Sequence, residues 1–321
     1  MKKIFDNKVV FVTGGTGSFG KYFIKSILDT KVKKIISYSR TEFLQMKMQN
    51  EIKDERIRYF IGDVRDKDRL EIALKNVDII IHAAALKQVP AIEYNPFEAV
   101  KTNIIGAQNI ILCAIRNNVK KIVALSTDKS SSPINFYGAS KLISDKLFQS
   151  SNVYSKEHSI NMSVVRYGNV AGSRGSVIPF FKDLIKDKNN ILPVTHPDMT
   201  RFWISLEEAC NLVFLALNES IGSEIFVPKL PSFRIIDLIK AMDCNYELVG
   251  IREGEKIHEE MINRYDTVIE YDDYFKIIPE YKWLDKSKFN GRLKNIINGY
   301  NSGDNENFLT IDQIKERLLY L

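Results

Sequence analysis

Lys8-Val-Val-Phe-Val-Thr-Gly-Gly-Thr-Gly-Ser-Phe-Gly20 decides the fold. A β-branched apolar run ends in glycines spaced as G-x-x-G-x-x-G (Gly14, Gly17, Gly20), and also as G-x-G-x-x-G from Gly15. A helical pattern begins at Phe19. Such a turn lets backbone approach a pyrophosphate, while the helix N-terminus offers unpaired N–H groups and partial positive charge. Gly14 and Gly17 serve that approach, and Gly20 lets the helix pack on the sheet. The strand before and the helix after lift the motif above an ordinary glycine turn. Thr16, Ser18 and Phe19 share the turn and count as candidate cofactor contacts.

Outward from that turn, apolar runs at Lys8–Thr13, Lys34–Ser39, Ile57–Gly62, Asp78–Ala83, Lys121–Ser126 and Asn161–Tyr167 read as strands. Helical stretches at Phe19–Asp29, Glu42–Asn50, Lys67–Leu74, Phe97–Asn117 and Tyr137–Ser150 alternate with them. Most of the strands are continuously apolar, which predicts burial on both faces of a parallel sheet. The alternation predicts a doubly wound α/β sheet with right-handed crossovers. Past Gly168 the rhythm loosens. Helices are expected at Pro179–Asp187, Leu206–Asn218 and Ile235–Met242, with a strand at Glu224–Val227 and a loop over Asn295–Asn307. A closing helix starts at Thr310, with Gln313 placed for a capping box. The expected division is a dinucleotide-binding domain over 1–172, with 203–228 packing back on it. A smaller substrate-binding region over 173–202 and 229–321 caps the carboxyl ends of the strands.

The chain has 321 residues, is 45% hydrophobic, and carries a net charge of +6. Its lysines are dispersed among acids with no basic stripe and no interleaved aromatics, which argues against nucleic-acid binding. No stretch approaches the roughly 20 apolar residues of a membrane span, and the first residues lack a secretory apolar core. Cys113, Cys210 and Cys244 make neither a disulfide framework nor a metal knuckle, so no metal is expected. A reducing cytoplasm fits best. An anionic small substrate needs only a few basic residues in one cleft.

Cofactor choice turns on the end of the second strand, Ser37-Tyr-Ser-Arg-Thr41. NAD binders usually place an acid there for the ribose 2′-hydroxyl. Arg40 instead suits a 2′-phosphate, helped by Ser39 and Thr41, and the expected cofactor is NADP, with Glu42 one residue further on. Asp63 and Val64, after the third strand, fall by the adenine edge. Ala83 and Ala85 offer small side chains where backbone approaches the cofactor, and His82 reads as a packed, hydrogen-bonded histidine.

Chemistry concentrates in Leu125-Ser-Thr-Asp-Lys-Ser-Ser-Ser-Pro-Ile-Asn-Phe-Tyr-Gly-Ala-Ser-Lys141. Tyr137 and Lys141 stand four apart and share a helix face, which suggests hydride transfer with a nicotinamide. Asp128 and Lys129 add an adjacent acid and base, which suggests that the same pocket moves protons and expels water. Taken alone, that pair is a surface ion pair worth little.

These motifs resemble the extended short-chain dehydrogenases/reductases that act on nucleotide sugars. More narrowly, His82–Pro90, Leu125–Lys129, Arg166–Ser176, Met199–Trp203 and Gly250–Glu259 resemble the polysaccharide-biosynthesis dehydratases. The subgroup is the inverting UDP-N-acetylglucosamine 4,6-dehydratases of the pseudaminic acid pathway. Capsule-type relatives often lack the tyrosine that stands here as Tyr137. Retaining sugar dehydratases use Asp-Glu where this chain has Asp128-Lys129. Ser130 and Ser131 replace small alanines of the family loop. The resemblance runs from about residue 5 to about residue 280 and fades beyond.

The resemblance implies NADP-dependent oxidation of sugar C4, elimination of water across C5 and C6, and return of the hydride to C6 with C5 inverted. Tyr137 would take the O4 proton with Lys141 beside it, and Thr127 would bond the same oxygen. Asp128 would be the acid toward the C6 hydroxyl. Lys129 would be the C5 base, for which it must be neutral. Lys87, Asn103 and Val170 would touch the cofactor, and Lys87 also the sugar. Asn169, Arg174, Gly175, Ser176, Val177, Pro193 and Thr195 would line the substrate. Arg201 and Arg252 would hold the diphosphate and Glu255 the ribose. A plain salt bridge is the alternative for either arginine. A homo-oligomer, of hexameric type, is implied by resemblance only. A nucleotide-sugar 4-epimerase or reductase is the competing activity on this fold, although epimerisation at C4 needs neither group of the Asp128–Lys129 pair.

Overall fold

The computed structural model describes residues 1–154, 160–187, 190–282, 284–285, 287, 289, 291–294 and 298–321. Six parallel strands form the frame: β1 (Val9–Thr13), β2 (Lys34–Ser39), β3 (Ile57–Ile61), β4 (Ile79–His82), β5 (Lys121–Leu125) and β6 (Asn161–Val165). They lie in the order β3-β2-β1-β4-β5-β6. β1 sits in the middle because all five of its side chains are buried. Val10, Phe11 and Val12 have no exposed surface, and each such side chain contributes roughly 1.5–3 kcal/mol of burial.

Beyond β6 the sheet continues through a parallel strand, Ile225–Pro228, and then antiparallel through Tyr274–Ile278, Thr267–Glu270 and Arg292–Lys294. The first matches the strand expected at Glu224–Val227. The last three were not expected as strands, and they join the main sheet rather than the cap. Three two-stranded ribbons were also unforeseen. Each pairs segments far apart in the chain: 191–194 with 245–248, 200–202 with 232–234, and 260–262 with 300–301. The expected loop at 295–307 has its first three residues outside the described ones, and Tyr300–Asn301 is strand.

Helices cover both faces. Phe23 of helix Ser18–Ile27 meets Phe214 of helix Leu206–Glu219 with ring centroids 5.7 Å apart, and Phe5 completes the cluster. Segment 206–219 thus packs back on the dinucleotide half. On the other face, the helix expected from Phe97 runs as Pro96–Ala99, a π-helical turn Val100–Ile105, and Gly106–Arg116. That turn buries Asn103; such turns recur at functional sites. A second core, built on Trp203, Phe181, Phe233 and Leu238, belongs to the smaller region. Thr310 and Gln313 make the expected capping box on helix Ile311–Leu318. Among the described residues no helix is long and apolar enough to cross a membrane, and no His/Cys/Asp/Glu cluster is placed to hold a metal.

Candidate active site

The glycine turn follows from its backbone. Gly14 has φ +65°, a conformation side chains disfavour, and its N–H donates to Tyr38 O at 2.9 Å. A Cβ at Gly20 would lie 2.4 Å from Gly14 O. Helix Ser18–Ile27 starts from Gly17 with no side-chain cap, which leaves its first amides to a ligand. Thr13 Oγ1 gathers the neighbouring loop, accepting from Ala83 N and Ala84 N at 3.0 Å and meeting His82 Nδ1 at 2.9 Å. His82 is the packed histidine expected: burial, then the Lys141 charge, lowers its pKa to about 3.

Of the other candidate cofactor residues, Tyr38 Oη donates to Asp63 O, and Val64 is buried. Asn103 turns to bracing. Its amide accepts from Leu86 N and donates to Leu86 O and Ser140 Oγ, so it shapes the strand-four loop and has no exposed surface to spare.

The reactive groups meet at the carboxyl ends of β4, β5 and β6. Helix Phe136–Ser150 is capped by Asn135, whose side chain accepts from Gly138 N at 2.8 Å. This start sets the Tyr137 phenol near Thr127. Burial raises the Tyr137 pKa to about 12, and the nearby Lys129 charge acts against that rise. Lys141, expected beside the phenol, donates from Nζ to Leu125 O at 2.7 Å, and burial lowers its pKa.

Asp128 and Lys129 are no surface pair. Asp128 is 1% exposed, and its Oδ1 accepts from Thr127 Oγ1 at 3.0 Å and Lys129 Nζ at 3.1 Å. Its Oδ2 is buried without a partner, close to where a Cβ on Gly168 would stand. Burial, and the neighbouring Glu259, raise the Asp128 pKa against the opposing Lys129 charge, so this carboxylate takes up a proton more readily than a solvated one. Burial works against the Lys129 ammonium, yet Asp128 and Glu259 together override it and raise its pKa. The neutral amine that a base requires is therefore not the resting state of this site.

A cleft of about 470 Å³ opens beside this cluster, within the roughly 300–1,000 Å³ of small-molecule sites. Lys87, Lys129, Asn169, Val170, Gly175, Ser176, Val177, Pro193, Thr195, Arg201, Arg252 and Glu255 all line it. Arg174 does not, though its carbonyl accepts from Lys87 Nζ at 2.8 Å. Arg201 is held by Thr200 O and Ile257 O, with Glu255 and Glu259 each 3.7 Å away. Arg252 pairs with Glu255 at 2.8 Å but is otherwise exposed. The substituted serines anchor the catalytic loop. Ser130 Oγ bonds Thr127 O and Asp145 Oδ2, and Ser131 Oγ donates to Glu260 Oε2.

Sequence reasoning missed three acids. Glu259 and Glu260 sat inside or beside a quoted motif, but their contacts are long-range. Asp145 had a legible signal, since Tyr137, Lys141 and Asp145 stand at i, i+4 and i+8 on one helix face.

A protein from Campylobacter jejuni named UDP-N-acetylglucosamine 4,6-dehydratase (inverting) is 50% identical over 88% of this chain and 86% of its own length. The X-ray structure of Pen from Bacillus thuringiensis superposes with TM-score 0.90 at 37% identity, covering 98% of each chain. A dTDP-glucose 4,6-dehydratase from Streptomyces venezuelae shares the fold at TM-score 0.70 and 23% identity, covering 78% of this chain and 86% of its own.

These neighbours correct the NADP expectation. The Streptomyces structure holds NAD, as do those of a UDP-glucuronic acid 4-epimerase from Bacillus cereus and a UDP-glucose 4-epimerase from Bifidobacterium longum. Around the end of β2, Gln45 Nε2 donates to the Ser39 hydroxyl at 2.9 Å, and Asp63 pairs with Arg65 at 2.7 Å. With the polysaccharide biosynthesis protein family matching residues 10–279 and this fold beneath the match, the chain belongs to that family of extended short-chain dehydrogenases/reductases.

Proposed function

We propose that this chain is an inverting UDP-N-acetylglucosamine 4,6-dehydratase using NAD. It would give UDP-2-acetamido-2,6-dideoxy-β-L-arabino-hex-4-ulose. The observation that carries the reading is the convergence of buried Asp128 and Thr127 with half-buried Lys129 and Tyr137, Lys129 reaching the cleft wall. An epimerase acting at C4 has no use for that acid–base pair.

The residues present fit a dinucleotide. Cβ atoms at Gly14, Gly17 and Gly20 would press on neighbouring backbone at 2.4–3.1 Å, so glycines alone keep this tight turn under an uncapped helix N-terminus. Bound there, the nicotinamide supplies the hydride acceptor for C4 and the hydride donor for C6. Tyr137 accepts the O4 proton, and Thr127 holds the same oxygen. Lys129, still an ammonium, favours the ionised phenol. Once C4 is a ketone, the C5 hydrogen is acidic. A proton passed from Lys129 Nζ to Asp128 Oδ1, 3.1 Å apart, then lets Asp128 protonate the departing C6 hydroxyl while the Lys129 amine removes the C5 proton. Arg201 and Arg252 receive the diphosphate, phosphate oxygens taking the place of Glu255 on Arg252. Lys87, Asn169 and the 174–177 turn position the sugar and nucleotide, with Pro193 and Thr195. The division stated above, 1–172 with 203–228 for cofactor and 173–202 with 229–321 for substrate, belongs to this proposal, as does a homo-oligomer. Light scattering that finds only monomer removes the oligomer.

Incubation with UDP-N-acetylglucosamine in heavy water, followed by NMR, tests the activity. A 4-keto-6-deoxy product with deuterium at C5 and L configuration is expected. Unchanged sugar, or UDP-N-acetylgalactosamine alone, removes the reading.

A further inference from the structure

Segment Lys256–Glu260 reaches across from the smaller region and grips the catalytic loop. Lys256 Nζ donates to Ser131 O at 2.8 Å, and Glu260 Oε2 accepts from Ser131 Oγ at 2.9 Å and Ser132 Oγ at 2.6 Å. Between them Glu259 sends its carboxylate to Lys129 Nζ at 2.9 Å. Glu259 is 2% exposed, and its main chain is pinned by Ser302, whose Oγ accepts from Glu259 N at 2.9 Å and whose N–H donates to Glu259 O at 2.8 Å. Its second oxygen, Oε2, is buried without a partner. A buried carboxylate with one free oxygen is costly to keep for packing alone.

We infer that Glu259 is a positioning residue for the elimination: it holds Lys129 Nζ against Asp128 and sets which member of that pair carries their shared proton. The inference rests on the dehydratase reading for its consequence, though not for its geometry. Nζ and Asp128 Oδ1 are 3.1 Å apart. Passing one proton from Nζ to Oδ1 leaves a neutral amine with its lone pair free and a neutral carboxylic acid. The pair's net charge is unchanged, and these are the base and acid that water loss requires. Glu259 favours the other arrangement, with the proton on nitrogen, because an ammonium between two carboxylates is stabilised twice. The same ammonium favours ionisation of Tyr137, so one carboxylate tunes both the oxidation and the elimination. The groups facing Lys129 from the elements around it are Asp128, Glu259, Tyr137, Arg201, Lys87 and Lys256. Of these only Asp128 and Glu259 hold the ammonium directly.

The test is an NMR titration of lysine side chains labelled at Cε, with Lys129 assigned by its loss in Lys129→Arg. It needs no substrate, so it stands even if the dehydratase assay fails. In the unaltered protein Lys129 should remain an ammonium above about pH 10.5, the ordinary lysine midpoint. In Glu259→Gln its midpoint should fall by at least about one unit, a tenfold larger amine fraction at neutral pH. If product forms, the acid limb of C5 deuterium incorporation should move down by the same amount. Should Glu259→Gln fail to fold, Glu259→Asp keeps the charge at shorter reach and should shift the midpoint the same way. A Lys129 midpoint unmoved in the folded variant overturns the inference.

Discussion

Replacing Asp145 by alanine tests the platform beneath the catalytic loop. Asp145 Oδ2 accepts from Ser126 Oγ at 2.7 Å, Ser130 Oγ at 3.0 Å and Arg166 Nη2 at 3.2 Å, and both charged side chains are 2–3% exposed. The two serines keep other partners, each other and Thr127 O, so their loss is minor. Arg166 does not fare so well. It retains Met261 O at 2.9 Å and a distant Asp266 at 4.0 Å, and its Nε already lacks a partner. Stranding a buried guanidinium costs about 3–5 kcal/mol. A chain this long melts roughly 2 °C lower per kcal/mol, so calorimetry should find Asp145→Ala lower by roughly 6–10 °C. Removing both charges as Asp145→Leu with Arg166→Met should recover most of that loss, since the penalty is the unpaired charge rather than the missing bond. A single variant within about 1 kcal/mol of the parent, or a double variant no better than the single, refutes the reasoning.

Lys129→Ala should abolish water loss while NAD binding, followed by calorimetry, survives; equal loss of both would make Lys129 structural. Gly20→Ala should do the reverse at the other end of the site. Its Cβ would meet Gly14 O at 2.4 Å, so the turn must shift and NAD affinity should fall at least about tenfold, about 1.4 kcal/mol; unchanged affinity would contradict this role for the turn. His82 predicts an acid sensitivity. Its folded pKa of about 3 lies below the unfolded 6.5, so the unfolded chain takes up the proton first. The stabilisation is complete above 6.5 and is lost as pH falls toward 3, amounting to about 2 kcal/mol by pH 5. Melts at pH 7 and pH 5 should show a smaller pH-dependent loss in His82→Gln than in the parent, and an equal loss would assign the effect elsewhere.

The doubly wound frame is legible in the chain alone, because the signals for it are local. Continuous apolar runs such as Val9–Thr13 bury on both faces of a parallel sheet, and the glycines at 14, 17 and 20 sit where strand meets helix. Tyr137 and Lys141 were legible for the same reason, since helical spacing alone puts them on one face. Cofactor choice was misread, because the residue type of Arg40 does not say what its exposed side chain faces in space. The antiparallel extension at 267–294 was invisible, since its short strands gain their stability only from register with Ile225–Pro228. The charge state of the site, by contrast, emerges only once the chain is folded. Lys129 follows Asp128 in the chain, but its proton is held as well by Glu259, 130 residues away, and burial makes that one carboxylate count. Coulombic pairing in a dry pocket depends on distance through space, and no local pattern records it.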